Sequence, residues 1–182
     1  MQIIQGPGPL GRDIDYSELT AALKKKIATV MISTQAQVTI TGDGTAKTIY
    51  SKTWAATDWA NTDTMEIIVA IRDVRTAGAG SRTYVFKNGS STIATSSTFS
   101  GSPEDHLFEV AAKEVSAANN QAWVKALQFD ASTQTILNIG TQWSGSSHGS
   151  AFSTTITTSP AAGTNLTIDY SITIIKYPGG NT

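Results

Sequence analysis

Between Gln35 and Tyr177, apolar side chains return at every second residue in short runs separated by turn sequences. That period decides the fold class. A period of two sends alternate residues to opposite faces of a strand, whereas a helix stripe repeats about every 3.6 residues. The clearest run closes the chain, with Leu166, Ile168, Tyr170, Ile172 and Ile174 on one face and Thr167, Asp169, Ser171 and Thr173 on the other. Ala36, Val38 and Ile40 alternate with Gln35, Gln37 and Thr39, and Thr41-Gly42-Asp43-Gly44 then reads as a turn. Met65, Ile67, Val69 and Ile71 alternate with Thr64, Glu66 and less polar partners. Tyr84 and Phe86 lead into Asn88-Gly89, a strong hairpin signal, before Ser91 to Ser97. Further runs carry Phe108 and Val110, then Trp123, Leu127 and Phe129, then Ile136 to Trp143, then Phe152 and Ile156. This spacing predicts roughly nine or ten short strands, which means a sandwich or a barrel. Threonine, with 27 of 182 residues, suits such strands and their polar faces.

The first part of the chain reads differently. Met1 to Asp15 contains Gly6-Pro7-Gly8-Pro9, which cannot be helix, because proline lacks the donor and the residue before it avoids the helical region. It is expected to be an extended arm. Tyr16 to Met31 is predicted as a helix, capped at Asp15 or Ser17, with Leu19, Leu23, Ile27 and Val30 on one stripe. Lys24, Lys25 and Lys26 lie in its second half, where cations suit the helix dipole. About four turns are marginal alone, so the stripe is expected to pack on the body or on the same helix of neighbouring copies. The expected organisation is an arm and helix over residues 1–33 and a β-body over residues 34–182.

Composition narrows the chemistry. The absence of cysteine excludes disulfides, zinc–thiolate sites and a thiol nucleophile. Lys and Arg number 13 against 14 Asp and Glu, so no basic footprint for nucleic acid or anionic lipid is expected. The longest apolar run, Ile67 to Ile71, is far short of the ~20 residues that span a bilayer. The N-terminus has no Lys or Arg before Leu10, unlike a signal peptide. His106 and His148 fit no metal motif and are expected to be structural or exposed. Gly145-Ser146-Ser147-His148-Gly149 matches the letters of a nucleophile elbow but lacks its strand–turn–helix context. Glu104-Asp105, and Asp58 with Asp63, read as hydrated loop carboxylates. No catalytic residue, metal ligand or cofactor is therefore expected. Trp54 and Trp59 share one loop-like stretch, and two readings stay open for them: stacking on a sugar, or plugging an end of the body or a subunit contact.

An arm with Gly6-Pro7-Gly8-Pro9, a short helix from Asp15 to Met31 and a Thr/Ser-rich β-body ending in the alternating run Asn165 to Tyr177 resembles virion surface proteins of tailed bacteriophages. These are capsid decoration (cement) proteins, head fibres and short tail-fibre modules. The resemblance is one of layout over the whole chain and carries no diagnostic motif. It implies an all-β, jelly-roll-like β-sandwich preceded by the extended arm and one short α-helix. It implies a homotrimer located on the capsid surface of a virion, with a major capsid protein or another virion protein as partner. On this reading Ile3, Ile4 and Leu10 are apolar anchors for capsid attachment, and Leu19, Leu23, Ile27 and Val30 serve oligomerisation. The alternative is a carbohydrate- or receptor-binding tail-fibre module that takes a host surface glycan on Trp54 and Trp59.

Overall fold

The structure, a computed structural model, describes residues 28–77, 80–99, 106–116, 121–130, 133–139 and 148–179. The arm, most of the expected helix, and with them Ile3, Ile4, Leu10, Leu19, Leu23 and Ile27 lie outside the described residues. Ten strands follow: β1 (Thr29–Thr41), β2 (Lys47–Trp54), β3 (Thr64–Ala77), β4 (Tyr84–Asn88), β5 (Ser91–Thr95), β6 (Leu107–Ser116), β7 (Gln121–Asp130), β8 (Thr133–Ile139), β9 (Phe152–Thr158) and β10 (Asn165–Tyr177).

The strands form two antiparallel sheets. One has six strands in the order β1-β10-β3-β6-β7-β8, and the other has four in the order β2-β9-β4-β5. If the β7–β8 hairpin is set aside, first, last, third and sixth strands make one sheet, and second, penultimate, fourth and fifth make the other. That is the strand order of a jelly roll. The hairpin is an insertion that widens the first sheet by two strands.

The core lies between the sheets and is filled by the phases that the sequence marks as apolar. Leu166, Ile168, Ile172 and Ile174 of β10 face Ile49, Phe86, Ile156 and their neighbours from the other sheet, all buried. Burying one such side chain contributes about 1.5–3 kcal/mol, so the alternation is itself the main energetic instruction. Tyr170 also turns inward and meets Tyr50 at 6.0 Å between ring centroids. Gly89 holds the β4–β5 hairpin at φ 61°, a conformation that costs other residues more. Gly42 is constrained by space instead. A Cβ there would stand 2.2 Å from the Ala161 carbonyl oxygen, where the β1–β2 and β9–β10 turns touch.

One expectation fails inside the described region. Thr29 to Met31 belong to β1 and not to a helix, and Val30 therefore sits on a strand rather than on a helical stripe. Thr29, Val30 and Ile32 pair with Lys176, Ile175 and Ile174 of β10, with a bulge between Val30 and Ile32. The β-branched side chains favour the strand, and β10 needs a partner along its length to satisfy its backbone. The sheet therefore starts ahead of the expected boundary between residues 33 and 34.

Candidate functional site

Three places gather side chains with chemical potential: the tryptophan end of the sandwich, a buried charged cluster, and the outer face of the six-stranded sheet.

Trp54 ends β2 and Trp59 lies in the loop that follows. They are only 2% and 1% exposed. Their rings meet edge to face at 5.5 Å, and Trp59 stacks on His148 at 5.3 Å. The Trp54 indole donates to Thr154 Oγ1 at 3.0 Å, and Thr154 donates to Asn88 Oδ1 at 2.7 Å. Asp58 accepts from the Ala55 amide and Asp63 from the Ala60 amide, so both carboxylates hold the loop that carries Trp59. Lys176 closes the end, with Nζ 2.9 Å from Asp63 and 5.7 Å from the Trp59 ring centre. The glycan-stacking expectation for Trp54 and Trp59 is therefore corrected. The rings plug the sandwich, because an indole buried against Phe152 and His148 offers no open face to a sugar.

The second place was not legible in the sequence. Asp73 of β3, Arg82 ahead of β4, Tyr84 of β4 and His106 ahead of β6 meet in the interior, all of them buried. Arg82 Nε donates to Asp73 Oδ2 at 2.6 Å, and Nη2 forms an ion pair with the same oxygen. Nη2 also lies 2.5 Å from His106 Nδ1. A guanidinium has only donors, so Nδ1 is the acceptor there. The Tyr84 hydroxyl donates to Asp73 Oδ1. Burial, followed by the charge of Asp73, pushes the Tyr84 phenol well above its usual range. Phe99 seals the group, 4.8 Å from the His106 ring and 5.8 Å from the Arg82 guanidinium. These residue types could do acid–base work, but here they are spent on one another and closed to solvent. Their effect is to tie β3, β4 and the start of β6 together.

The third place faces water. On the outer side of the six-stranded sheet a shallow recess of about 450 Å³ is lined by Gln35, Ala70, Arg72, Asp169 and Ser171, among others. Arg72 and Gln37 each hold one Asp169 oxygen at 2.8 Å, and together they keep that carboxyl below its usual range. A second recess of about 190 Å³ adjoins it at Ala70, between Ile68, Ala111, Glu109, Lys125 and Leu127. The available signal was the outward phase of β3, where Ile68, Ala70 and Val74 stand at positions that a water-facing sheet would fill with polar residues. Among the described residues, no three His, Asp or Glu side chains are grouped to hold a metal ion.

Among the described residues, fold and surface define an all-β jelly-roll sandwich with a broad open sheet face. No family model matches the chain, and no curated protein matches it. Two solved structures of infectious bursal disease virus align with it. The Gt strain structure does so at 9% identity and a TM-score of 0.35, over 86% of this chain and 34% of that one. The Gx strain structure does so at 13% identity and a TM-score of 0.35, over 85% and 33%. The chain thus spans about a third of the length of the viral chains it aligns with.

Proposed function

We propose that the protein is a non-enzymatic virion structural protein, a capsid decoration protein or head fibre that binds and stabilises a phage capsid surface. The observation that carries this reading is the layout: an N-terminal segment with Gly6-Pro7-Gly8-Pro9 precedes a jelly-roll body with a broad, mixed apolar and polar sheet face. A face of that kind works through area and complementarity, as protein contacts do. The attachment step falls to Ile3, Ile4 and Leu10, apolar anchors spaced along the N-terminal segment. The body acts as a homotrimer. The competing glycan-binding reading rested on Trp54 and Trp59, and their burial removes its motivating feature.

The test is binding to purified capsids that lack the protein. The full chain should co-sediment with them, and a variant lacking residues 1–12 should fold normally yet lose capsid binding. Full-chain protein that stays in the supernatant would overturn the reading. Undiminished binding by the shortened chain would move attachment to the body.

A further inference from the structure

The described large apolar side chains that stand open to water are Val30, Ile68, Val74, Trp123 and Ile136. They lie on one surface. Val30 pairs with Ile175, Ile68 with Ala111, Trp123 with Lys113 and Ile136 with Leu127, and each pair projects from the outer side of the six-stranded sheet. Val74 sits beside them at the β3 bulge opposite β10. Ile68, Trp123 and Ile136 are 46%, 51% and 59% exposed. The outer side of the four-stranded sheet is unlike this. It presents Ser51, Thr53, Ser153, Thr155, Lys87 and Thr92, which suit water.

We infer that the outer face of the six-stranded sheet is buried against neighbouring copies of this chain. The extent of the face fits. Six strands at about 4.8 Å spacing and about ten residues at ~3.3 Å rise make a face on the order of 900 Å². Divided between two neighbours in a ring, it gives each copy in total about the 800 Å² that a stable interface takes from one partner. The charges also fit a copy of the same chain. The described charged side chains on the face are Glu66, Arg72 and Asp169 on the β3–β10 half, and Glu109, Lys113 and Lys125 on the β6–β7 half. Among these described side chains the two halves carry net charges of opposite sign, −1 and +1, which cancel. That pattern gives no attraction for nucleic acid or an anionic membrane. It lets the β3–β10 half of one copy meet the β6–β7 half of the next, a head-to-tail contact that can close into a ring. The small residues Ala70, Ala111 and Ser171 leave the recesses into which side chains such as Ile68 and Trp123 of a neighbour would fit.

This inference gives a surface to the self-association in the proposed function, but its readout is mass and not capsid binding, so the two fail separately. The full chain should show a multiple of 19.2 kDa by light scattering at micromolar concentration. Ile68→Lys and Ile136→Lys, one in each half, should each give a single 19.2 kDa species with an unchanged circular dichroism spectrum. Thr155→Lys, on the other sheet, should keep the mass of the full chain. Ile68→Ala removes apolar area without adding charge, and it should raise the concentration of half-dissociation roughly 10-fold or more. That variant decides the matter if a lysine variant does not fold. A full chain that is monomeric would overturn the inference, whether its own N-terminal residues or a capsid subunit cover the face. An unchanged mass and an unchanged dissociation midpoint in the substituted proteins would overturn it equally.

Discussion

Arg82→Met tests the account of the buried cluster. The substitution keeps much of the stem's volume and removes the guanidinium, leaving the Asp73 carboxylate sealed from water without the countercharge that touches it through Nε and Nη2. Removing one partner of a buried pair costs about 3–5 kcal/mol, because the remaining charge stays desolvated. The lost contact with the Phe99 ring adds about 0.5–2 kcal/mol. In a chain of this size about 1 kcal/mol moves the melting midpoint by roughly 2–4 °C, so a fall of roughly 7–28 °C is expected. Urea melts followed by circular dichroism at one fixed protein concentration measure the cost directly. Asp73→Leu combined with Arg82→Met removes both charges, and its cost should fall well below the sum of the two single costs. It should not vanish, because the Tyr84 hydroxyl and His106 Nδ1 each lose a partner, at about 1–3 kcal/mol per unsatisfied group. A cost under about 1 kcal/mol for Arg82→Met, or strict additivity in the cycle, would refute the claim that the cluster acts as one desolvated unit.

Trp59→Ala should destabilise by about 3–5 kcal/mol in the same urea melts, since the ring is buried between Trp54, His148 and Lys176. Burial pushes the Asp63 carboxyl up, but Lys176 and the Ala60 and Gly179 amides outweigh it and hold it below the usual range. Its stabilising contribution is therefore complete above the unfolded value of about 4 and is lost as pH falls through the lowered folded value, so Asp63→Asn should flatten the loss of stability below about pH 4. Gly89→Ala places a Cβ on a residue at φ 61° and should cost about 1–2 kcal/mol, read as a lower melting midpoint with unchanged strand content.

What could be read from the sequence follows from how local each signal is. β10 was plain because five inward side chains alternate without interruption, and the β4–β5 turn was plain because Asn88-Gly89 specifies its own backbone. The start of β1 was misread because Leu19, Leu23, Ile27 and Val30 keep helical spacing up to the point where pairing with Ile175 takes over. Only the sheet partner decides that contest, and the partner lies at the far end of the chain. The Asp73–Arg82–His106 cluster was hidden for a related reason. Its members come from three segments that become neighbours only once β3 pairs with β6 and β4 crosses to the opposite sheet. Trp54 ends β2 and Trp59 sits in the loop after it, a place that suggests exposure, yet the Asp58 and Asp63 contacts fold that loop inward over the core.

The inserted β7–β8 hairpin links the fold to the surface argument. Its inner side is accommodated without difficulty. Val124 and Ala126 are buried, Gln128 accepts from the Ser97 amide at 2.8 Å, and β5 reaches across to both strands. The insertion therefore adds core, but it also adds an outer side, and that side carries Trp123, Leu127 and Ile136. A hairpin that served only to extend the core would be expected to present polar residues to water, as β9 does with Ser153, Thr155 and Thr157. Without the hairpin, β6 would be the sheet edge and the outer face would shrink by a third of its strands. It would then fall below the area a stable contact takes and would lose Lys125 from the half that carries excess positive charge. The same two strands that depart from the minimal jelly roll thus supply both the width and the charge asymmetry on which a head-to-tail contact between copies depends.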